Sequence, residues 1–178
     1  AGYSVVSDID LSGKTILEIG AGDIRHIRHW QSRPKEYLLA DISSEMMDRA
    51  RRGLEAHDVP YRALLVNRGE PLPIADQSVD LIISFYSLEH LHPLRPYLED
   101  MRRVLKPGGL LIGAIPAEGG LAWGGGRLLT SRRWLKQHTS IDPDKLICWE
   151  HPNFADEILA KLDDVFQRES AQYWPLPW

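Results

Sequence analysis

A glycine-rich turn, Gly20-Ala21-Gly22, follows directly on an apolar segment that spans residues 15–19. Glycine at positions 20 and 22 permits backbone torsions and close approaches that a Cβ would block, so a ligand could lie against this main chain. Many α/β proteins use such a turn for packing alone. The turn considered by itself therefore leaves both interpretations open.

Asp41 is the second candidate, because it follows a predicted strand 19 residues after Gly22. A doubly wound sheet places an acidic side chain at this point beside a bound ribose, and a carboxylate can accept hydrogen bonds from both ribose hydroxyls. The alternative is that Asp41 only caps a helix that begins near Ser43. Since one carboxylate can do both, we favour the ribose contact.

The elements that must position these residues follow from the spacing of apolar side chains. Apolar and β-branched runs alternate with segments of helical period, which predicts strands at 15–19, 36–40, 61–66, 79–84, 110–115 and 165–173. Their nearly continuous apolar character suits strands that are covered on both faces. We therefore predict an α/β fold with a doubly wound, mostly parallel, Rossmann-like sheet and helices on both faces.

Three longer helices are predicted from apolar residues three and four positions apart. The first follows the serine pair at 43–44 and places Met46 in its buried stripe. The second begins near Leu94 and is stopped by Pro-Gly-Gly at 107–109. The third follows Asn153, whose side chain can cap it.

Four segments in order resemble the sequence signatures of class I S-adenosylmethionine-dependent methyltransferases, in particular the type 11 group. They lie at 17–22, 41–46, 72–91 and 102–109, within a core of about residues 14 to 116. Four ordered signatures are far more specific than one glycine pattern. The resemblance implies S-adenosyl-L-methionine as the cofactor and methyl transfer to a small-molecule acceptor as the activity.

The resemblance assigns the glycine turn and the strand before it to the methionine part of the cofactor. Glu18 would receive the ammonium group or order water beside it. The amides of Gly20, Ala21 and Gly22, with the start of the next helix, would approach the rest of the methionine part.

The later segments are assigned to the nucleoside and to the transferred methyl group. Beside Asp41 on the ribose, Ile42 and Met46 would sandwich the adenine ring. The alternative for both apolar residues is ordinary core packing. The segment that contains Ser84 and Ser87 would line the methyl-transfer end.

Two positions depart from the family pattern. Ile24 stands where the family has its third glycine, so we expect the first helix to start differently or the methionine tail to be held less closely. Arg68 stands where an acidic residue often meets the adenine amino group. Asn67 and Glu70 are neighbouring substitutes, and the backbone of Arg68 and Gly69 could recognise adenine instead.

Proton removal is needed only if the acceptor is a hydroxyl or an acidic carbon, because methyl transfer from a sulfonium otherwise depends on alignment. His90 is the first candidate for the base, since it follows the segment near the cofactor, and His92 is the second. The alternative for His90 is a structural role in capping the next helix.

Residues 117–152 fit no regular pattern, and we predict that they form a lid or acceptor-side segment with a hinge at glycines 124–126. Aromatic and basic side chains in this segment would suit an anionic or aromatic acceptor. The alternative is a solvated helical face with Trp134 turned inward. The side chains concerned are Trp123, Arg127, Arg132, Arg133, Trp134, Lys136 and His138.

Composition and charge exclude several other classes of protein and of binding site. A chain of 178 residues with net charge −4 predicts one domain, with a C-terminal helix and strand at about 153–178, and no nucleic-acid partner. The lone Cys148 excludes a disulfide within the chain and a thiolate metal cluster, and we predict no metal site. The absence of a long apolar run predicts no membrane span and a cytoplasmic protein.

Two other functions are weighed against methyl transfer. An inactive relative that binds a nucleoside or a partner protein would explain the departures at Ile24 and Arg68. A nicotinamide-dependent oxidoreductase would need a further glycine where this chain has Arg25. The family usually adds a last antiparallel strand, which this chain could lack.

Overall fold

One parallel sheet carries the candidate site. The computed structural model describes residues 2–116, 131–139, 142 and 152–173. Its strands are β1 (Thr15–Ile19), β2 (Glu36–Asp41), β3 (Tyr61–Leu65), β4 (Val79–Phe85) and β5 (Leu105–Ala114). They lie in the order β3-β2-β1-β4-β5, and every pairing is parallel. The order reverses between β1 and β4, which is where such sheets bind ligands.

Helices pack against both faces of this sheet, which confirms the predicted α/β fold. On the two faces lie α1 (Ser44–Glu55), α2 (Leu94–Val104) and α4 (Ala155–Val165). The structure also has α3 (Ser131–His138) and 3₁₀ helices at Gly2–Asp8, Arg25–His29 and Leu88–His90. The start of α1 is as predicted, because the hydroxyl of Ser43 accepts a hydrogen bond from the amide of Met46 at 3.3 Å.

Alternating strand residues build two hydrophobic clusters, one on each face of the sheet. Leu17 and Ile82 belong to the cluster formed with α2 and α4. Ile16 and Ile83 belong to the opposite cluster, which includes Leu54 of α1. Burial on both faces explains why the strands read as nearly continuous apolar runs.

The C-terminal part differs from its prediction. Val165 ends α4 instead of beginning a strand, because it lies seven residues after the buried Ile158 and continues the helical stripe. Residues 166–173 form no strand. The predicted cap is also wrong, since Phe154 occupies that position without a side-chain hydrogen bond and Asn153 bonds elsewhere.

The junction of α2 and β5 also differs. Helix α2 ends at Val104, and β5 begins at the next residue, so Pro-Gly-Gly at 107–109 lies inside the strand's bounds. The residue before a proline disfavours helical torsions, which explains why the helix stops before Pro107. A register shift between Val79 and Leu81 on β4 accommodates the extra residues.

Most of the predicted lid, 117–130, 140–141 and 143–151, lies outside the described residues. Within α3, the Trp134 side chain is exposed and its ring stacks on His138 at a centroid distance of 5.0 Å. Trp134 therefore does not turn inward as the solvated-face alternative expected. Among the helices of the described segments, none combines the length and apolar character needed to cross a membrane.

Candidate functional site

Four of the predicted site segments meet at the carboxyl edge of the sheet. The amide of Gly20 donates to the carbonyl oxygen of Ala40 at 3.0 Å, which joins the ends of β1 and β2. The Ser87 hydroxyl donates to the Ile19 carbonyl at 2.9 Å, which joins β1 to the segment after β4. The amide of Val66 donates to the carbonyl of Asp41, which joins β2 to the segment after β3.

The two glycines of the turn lack a side chain for different physical reasons. Gly20 has a φ of 70°, and a Cβ there would lie 2.5 Å from the Cβ of Ser87. Gly22 has a φ of 53°, and its Cβ would meet no heavy atom within 4 Å. Packing therefore explains Gly20, whereas Gly22 borders open space in which a ligand could approach the backbone. Ala21, between them, is buried.

Ile24 explains why the turn does not lead into an α-helix. Its φ of 48° and ψ of 47° lie in the left-handed region, which is unusual for a β-branched residue. The residue is buried, and the segment that follows is a 3₁₀ helix of five residues, Arg25–His29. The chain thus adopts with isoleucine a conformation that glycine adopts more easily.

Asp41 is bonded to the start of α1, and its contact with a ribose stays a prediction. Its Oδ1 atom accepts a hydrogen bond from the amide of Ser43 at 2.8 Å, so it supports the turn into α1. Burial raises the pKa of the Asp41 carboxyl above its usual value, and backbone hydrogen bonds from Ser43 and Ile42 oppose that rise. The half-buried carboxylate lies at the carboxyl end of β2, where a sugar hydroxyl can reach such a group.

Apolar side chains beside Asp41 are turned toward solvent. Ile42 is 52% exposed and Met46 is 37% exposed, so the alternative of core packing is wrong for both. The sequence assigned Met46 to the buried stripe of α1. In the structure Met47 is buried there instead, beside Ala50. Two exposed apolar side chains next to a carboxylate suit a ligand with an apolar ring.

The segment after β3 is held by one local hydrogen bond and by one to α2. The Asn67 amide nitrogen donates to Oε2 of Glu70 at 2.8 Å, and the backbone amide of Gly69 donates to the hydroxyl of Tyr97 at 2.9 Å. Arg68 is exposed. Of the two backbone groups predicted to recognise adenine, the Gly69 amide is thus already engaged by Tyr97.

The two predicted serines brace the strand ends instead of facing an open pocket. Ser84 and Ser87 are buried, and their hydroxyl oxygens lie 2.6 Å apart. A Cβ at Gly113 of β5 would overlap the carbonyl oxygen of Ser84, so β5 approaches this point as only glycine permits.

Glu18 is the site residue that the structure places most differently from its prediction. Its side chain is 1% exposed. Oε1 lies 2.9 Å from Nε2 of His26, and Oε2 accepts a hydrogen bond from the Tyr37 hydroxyl at 2.5 Å. Trp30 Nε1 donates to His26 Nδ1 at 2.9 Å, so Nε2 must carry the proton that is shared with Glu18.

This chain of hydrogen bonds, from the half-buried Trp30 through His26 and Glu18 to Tyr37, was missed from the sequence. Burial, followed by the charge of Glu18, holds the pKa of Tyr37 well above its usual value, so the phenol remains a donor. The only available signal was Glu18 itself, because a carboxylate in a strand covered on both faces needs buried partners. The sequence does not show which residues those are.

His90 lies on the 3₁₀ helix after β4, close to the predicted transfer end. Its ring is 47% exposed and its Nε2 lies 4.0 Å from Oε1 of Glu89. Pro93, and not His90, is the N-cap residue of α2. His92, the second candidate base, is exposed.

An aromatic group that the sequence analysis did not identify stands beside the glycine turn. The ring of Tyr3, on the first 3₁₀ helix, lies 5.0 Å from Phe85, 5.6 Å from Tyr86 and 6.5 Å from His26. Burial raises the pKa of Tyr3 above its usual value. The N-terminal segment therefore packs onto the end of β4, next to the turn.

Comparisons with known proteins agree with this geometry. The model of a family described as a methyltransferase domain matches residues 17–113, more than half of the chain. The chain belongs to the methyltransferase domain family. This membership confirms the predicted class, an S-adenosylmethionine-dependent methyltransferase, and does not support the oxidoreductase alternative.

One curated relative of this methyltransferase domain is a malonyl-[acyl-carrier protein] O-methyltransferase from Yersinia pestis, 31% identical over 110 residues. The match covers 62% of this chain and 39% of the relative, so the chain spans about two fifths of that protein's length.

Two solved structures show the same architecture as this methyltransferase domain. The trans-methyltransferase CalH in complex with S-adenosylhomocysteine is 27% identical, with a TM-score of 0.51 over 62% of this chain and 34% of CalH. A putative methyltransferase from Bacillus halodurans is 13% identical, with a TM-score of 0.64 over 92% of this chain and 66% of its own. The second likeness supports the fold alone.

Proposed function

We propose that this chain binds S-adenosylmethionine across the carboxyl ends of β1 and β2 and transfers the methyl group to a small-molecule acceptor. The arrangement at Asp41 carries the proposal. A half-buried carboxylate is followed, within five residues, by the exposed apolar side chains of Ile42 and Met46. A nucleoside offers the matching surface, because it combines two sugar hydroxyls with a flat apolar ring.

The other predicted residues support this proposal to different degrees. Gly22 leaves room for a ligand against the backbone. Asn67, Arg68 and Gly69 border the adenine side, where exposed Arg68 and its backbone are the candidates because Gly69 already bonds Tyr97. Ser84 and Ser87 act by holding the ends of β1 and β4 together, since their hydroxyls bond inside the protein.

S-adenosylmethionine supplies a methyl group that is activated by a positively charged sulfur. The chain's own residues then have to align an acceptor with that methyl and exclude water. His90 stays a prediction as the proton acceptor for a hydroxyl or acidic carbon. Identical pH profiles of the rate in wild type and His90→Gln would contradict that role.

For the acceptor, only a chemical class is proposed, a molecule with an anionic or aromatic group. The Yersinia pestis relative is named for malonyl-[acyl-carrier protein], and the basic residues predicted at 117–152 would suit an anionic group. Small aromatic and aliphatic carboxylates are therefore the first acceptors to assay, and malonyl-[acyl-carrier protein] tests the same anionic group on a protein carrier. The division into a core, an acceptor-side segment and a C-terminal part, and cytoplasmic location, belong to the same proposal.

Calorimetric titration with S-adenosylhomocysteine tests the cofactor site. We expect wild type to bind, and Asp41→Asn to bind more weakly by about 1–3 kcal/mol, because charge-assisted hydrogen bonds to the ribose are lost. Asn keeps an oxygen for the Ser43 amide, so the turn into α1 is preserved.

Asp48→Asn is the matched control, since Asp48 is an exposed residue of α1. Its affinity should equal that of wild type. Equal affinity of Asp41→Asn and wild type for S-adenosylhomocysteine would contradict the ribose contact. If folded wild type does not bind this ligand, the proposed function is overturned.

A domain that binds the cofactor without transferring its methyl group is the second candidate function. The observation that favours it is the engagement of both Glu18 oxygens by His26 and Tyr37, which leaves the predicted ammonium partner buried. Transfer of a labelled methyl group to any acceptor would exclude it. Tight binding without transfer across the acceptors above would support it.

A further inference from the structure

An exposed ion pair follows the glycine turn. Nη2 of Arg25 lies 3.1 Å from Oδ2 of Asp23, and the two side chains are 65% and 44% exposed. Nε of Arg25 lies 3.3 Å from the same oxygen. Asp23 follows directly on Gly22, the glycine that borders open space. Opposite charges are therefore presented together at the side of the site proposed for the methionine tail.

Glu18 is a poor partner for that tail in this structure. It is buried, and each of its carboxylate oxygens already receives a hydrogen bond, from His26 and Tyr37. Each oxygen could accept a further hydrogen bond, but the side chain is only 1% exposed, so an ammonium group could reach Glu18 only by displacing buried neighbours such as His26 or Tyr37. Displacement would leave a buried polar group without its partner, which is unfavourable.

We propose that Asp23 and Arg25 bind the amino-acid tail of the cofactor, with Arg25 on the α-carboxylate and Asp23 on the ammonium group. This assignment rests on the cofactor binding in the proposed function. A guanidinium fork matches a carboxylate through two parallel hydrogen bonds. The tail is a zwitterion, so Asp23 exchanges Arg25 for the ammonium group and Arg25 exchanges Asp23 for the carboxylate.

The exchange of partners is favoured by the exposure of the pair. Ion pairs between exposed side chains contribute little to protein stability, so little is lost when Asp23 and Arg25 separate. The first 3₁₀ helix borders the same place, because the ring of Tyr3 stacks on His26, the residue after Arg25. Tyr3 would partly shield the new ion pairs from water, which strengthens them.

Two ligands that differ only in the tail test the assignment. S-adenosylhomocysteine carries the amino-acid tail, whereas 5′-methylthioadenosine keeps the adenine, ribose and sulfur without it. We expect Arg25→Gln and Asp23→Asn each to weaken S-adenosylhomocysteine binding about tenfold or more in calorimetry. The affinity for 5′-methylthioadenosine should be unchanged.

Two control variants separate this assignment from the proposed function. Arg28→Gln alters another exposed arginine of the same 3₁₀ helix and should leave both affinities as in wild type. Asp41→Asn should weaken both ligands alike, because both contain the ribose. Circular dichroism and thermal unfolding establish that each variant is folded.

The outcomes are distinguishable. If wild type binds both ligands but Arg25→Gln and Asp23→Asn weaken neither, or weaken both ligands equally, the tail assignment is overturned while the proposed function stands. If folded wild type binds neither ligand, both proposals are overturned. Selective loss of S-adenosylhomocysteine binding in both variants supports the assignment.

Discussion

At the scale of single residues, side-chain packing and backbone conformation act at different positions of the same turn. Gly20 lacks a Cβ because Ser87 occupies the space, while Gly22 adopts a positive φ next to open space. Glu18, two residues before Gly20, is held by His26 and Tyr37 inside the protein. A residue next to a cofactor motif in sequence can thus have its side chain bonded inside the protein.

The two glycines give a matched pair of substitutions. Gly20→Ala should lower the free energy of unfolding by about 2–4 kcal/mol, because it adds an overlap with Ser87 to the cost of a left-handed alanine. Gly22→Ala has only the backbone cost, about 1–2 kcal/mol. Urea denaturation of both variants measures the difference, and equal losses would show that Ser87 moves away at no cost.

At the scale of elements, Asn153 connects the C-terminal part of the chain to the segment after β4. Its side-chain nitrogen donates to the carbonyl oxygens of Leu91 at 2.7 Å and of Leu88 and Glu89 at 3.4 Å. Lys161 of α4 donates to its oxygen at 3.3 Å. The buried amide thereby satisfies carbonyls of the 3₁₀ helix that carries His90, and α4 helps to hold that segment.

Removal of this amide should loosen the segment that it holds. Asn153→Ala is expected to lower the free energy of unfolding by about 1–3 kcal/mol, since buried carbonyls lose their donor. Hydrogen exchange at residues 88–91 should become faster. Lys161→Ala leaves the bonds from Asn153 to the three carbonyls in place and should therefore lower the free energy of unfolding by less than Asn153→Ala does. A similar effect of the two variants would contradict this role.

At the scale of the whole molecule, the candidate site exists only when the sheet is assembled. The turn after β1, the end of β2 and the segments after β3 and β4 are joined by hydrogen bonds between distant residues. The two hydrophobic clusters hold these strands in place from both faces. An unfolded chain presents none of this arrangement to a ligand.

Binding should therefore stabilise the folded chain by mass action. Free S-adenosylhomocysteine at about one hundred times its Kd should add about 2.7 kcal/mol to the free energy of unfolding, because the unfolded state does not bind it. Thermal unfolding at increasing ligand concentration would show Tm rising by several degrees. Asp41→Asn should show a smaller rise in Tm at each ligand concentration. A wild-type Tm that does not depend on ligand concentration would contradict the proposed site.

The amino-acid sequence by itself determined the sheet, its helical layers and the edge that carries the candidate site. Apolar spacing is a local property, and the carboxyl ends of parallel strands necessarily share one edge. The first four strands were predicted to within one residue at each end, and the cap of α1, Ser43, is one of the two serines that the sequence offered for it.

Only the tertiary structure decided which residues are buried together. Glu18 meets His26 and Tyr37, which lie eight and nineteen positions away. Asn153 turns from the helix that it was expected to cap toward a segment more than sixty residues earlier. Burial and the choice of hydrogen-bond partners depend on residues that are distant along the chain, so local spacing does not contain them.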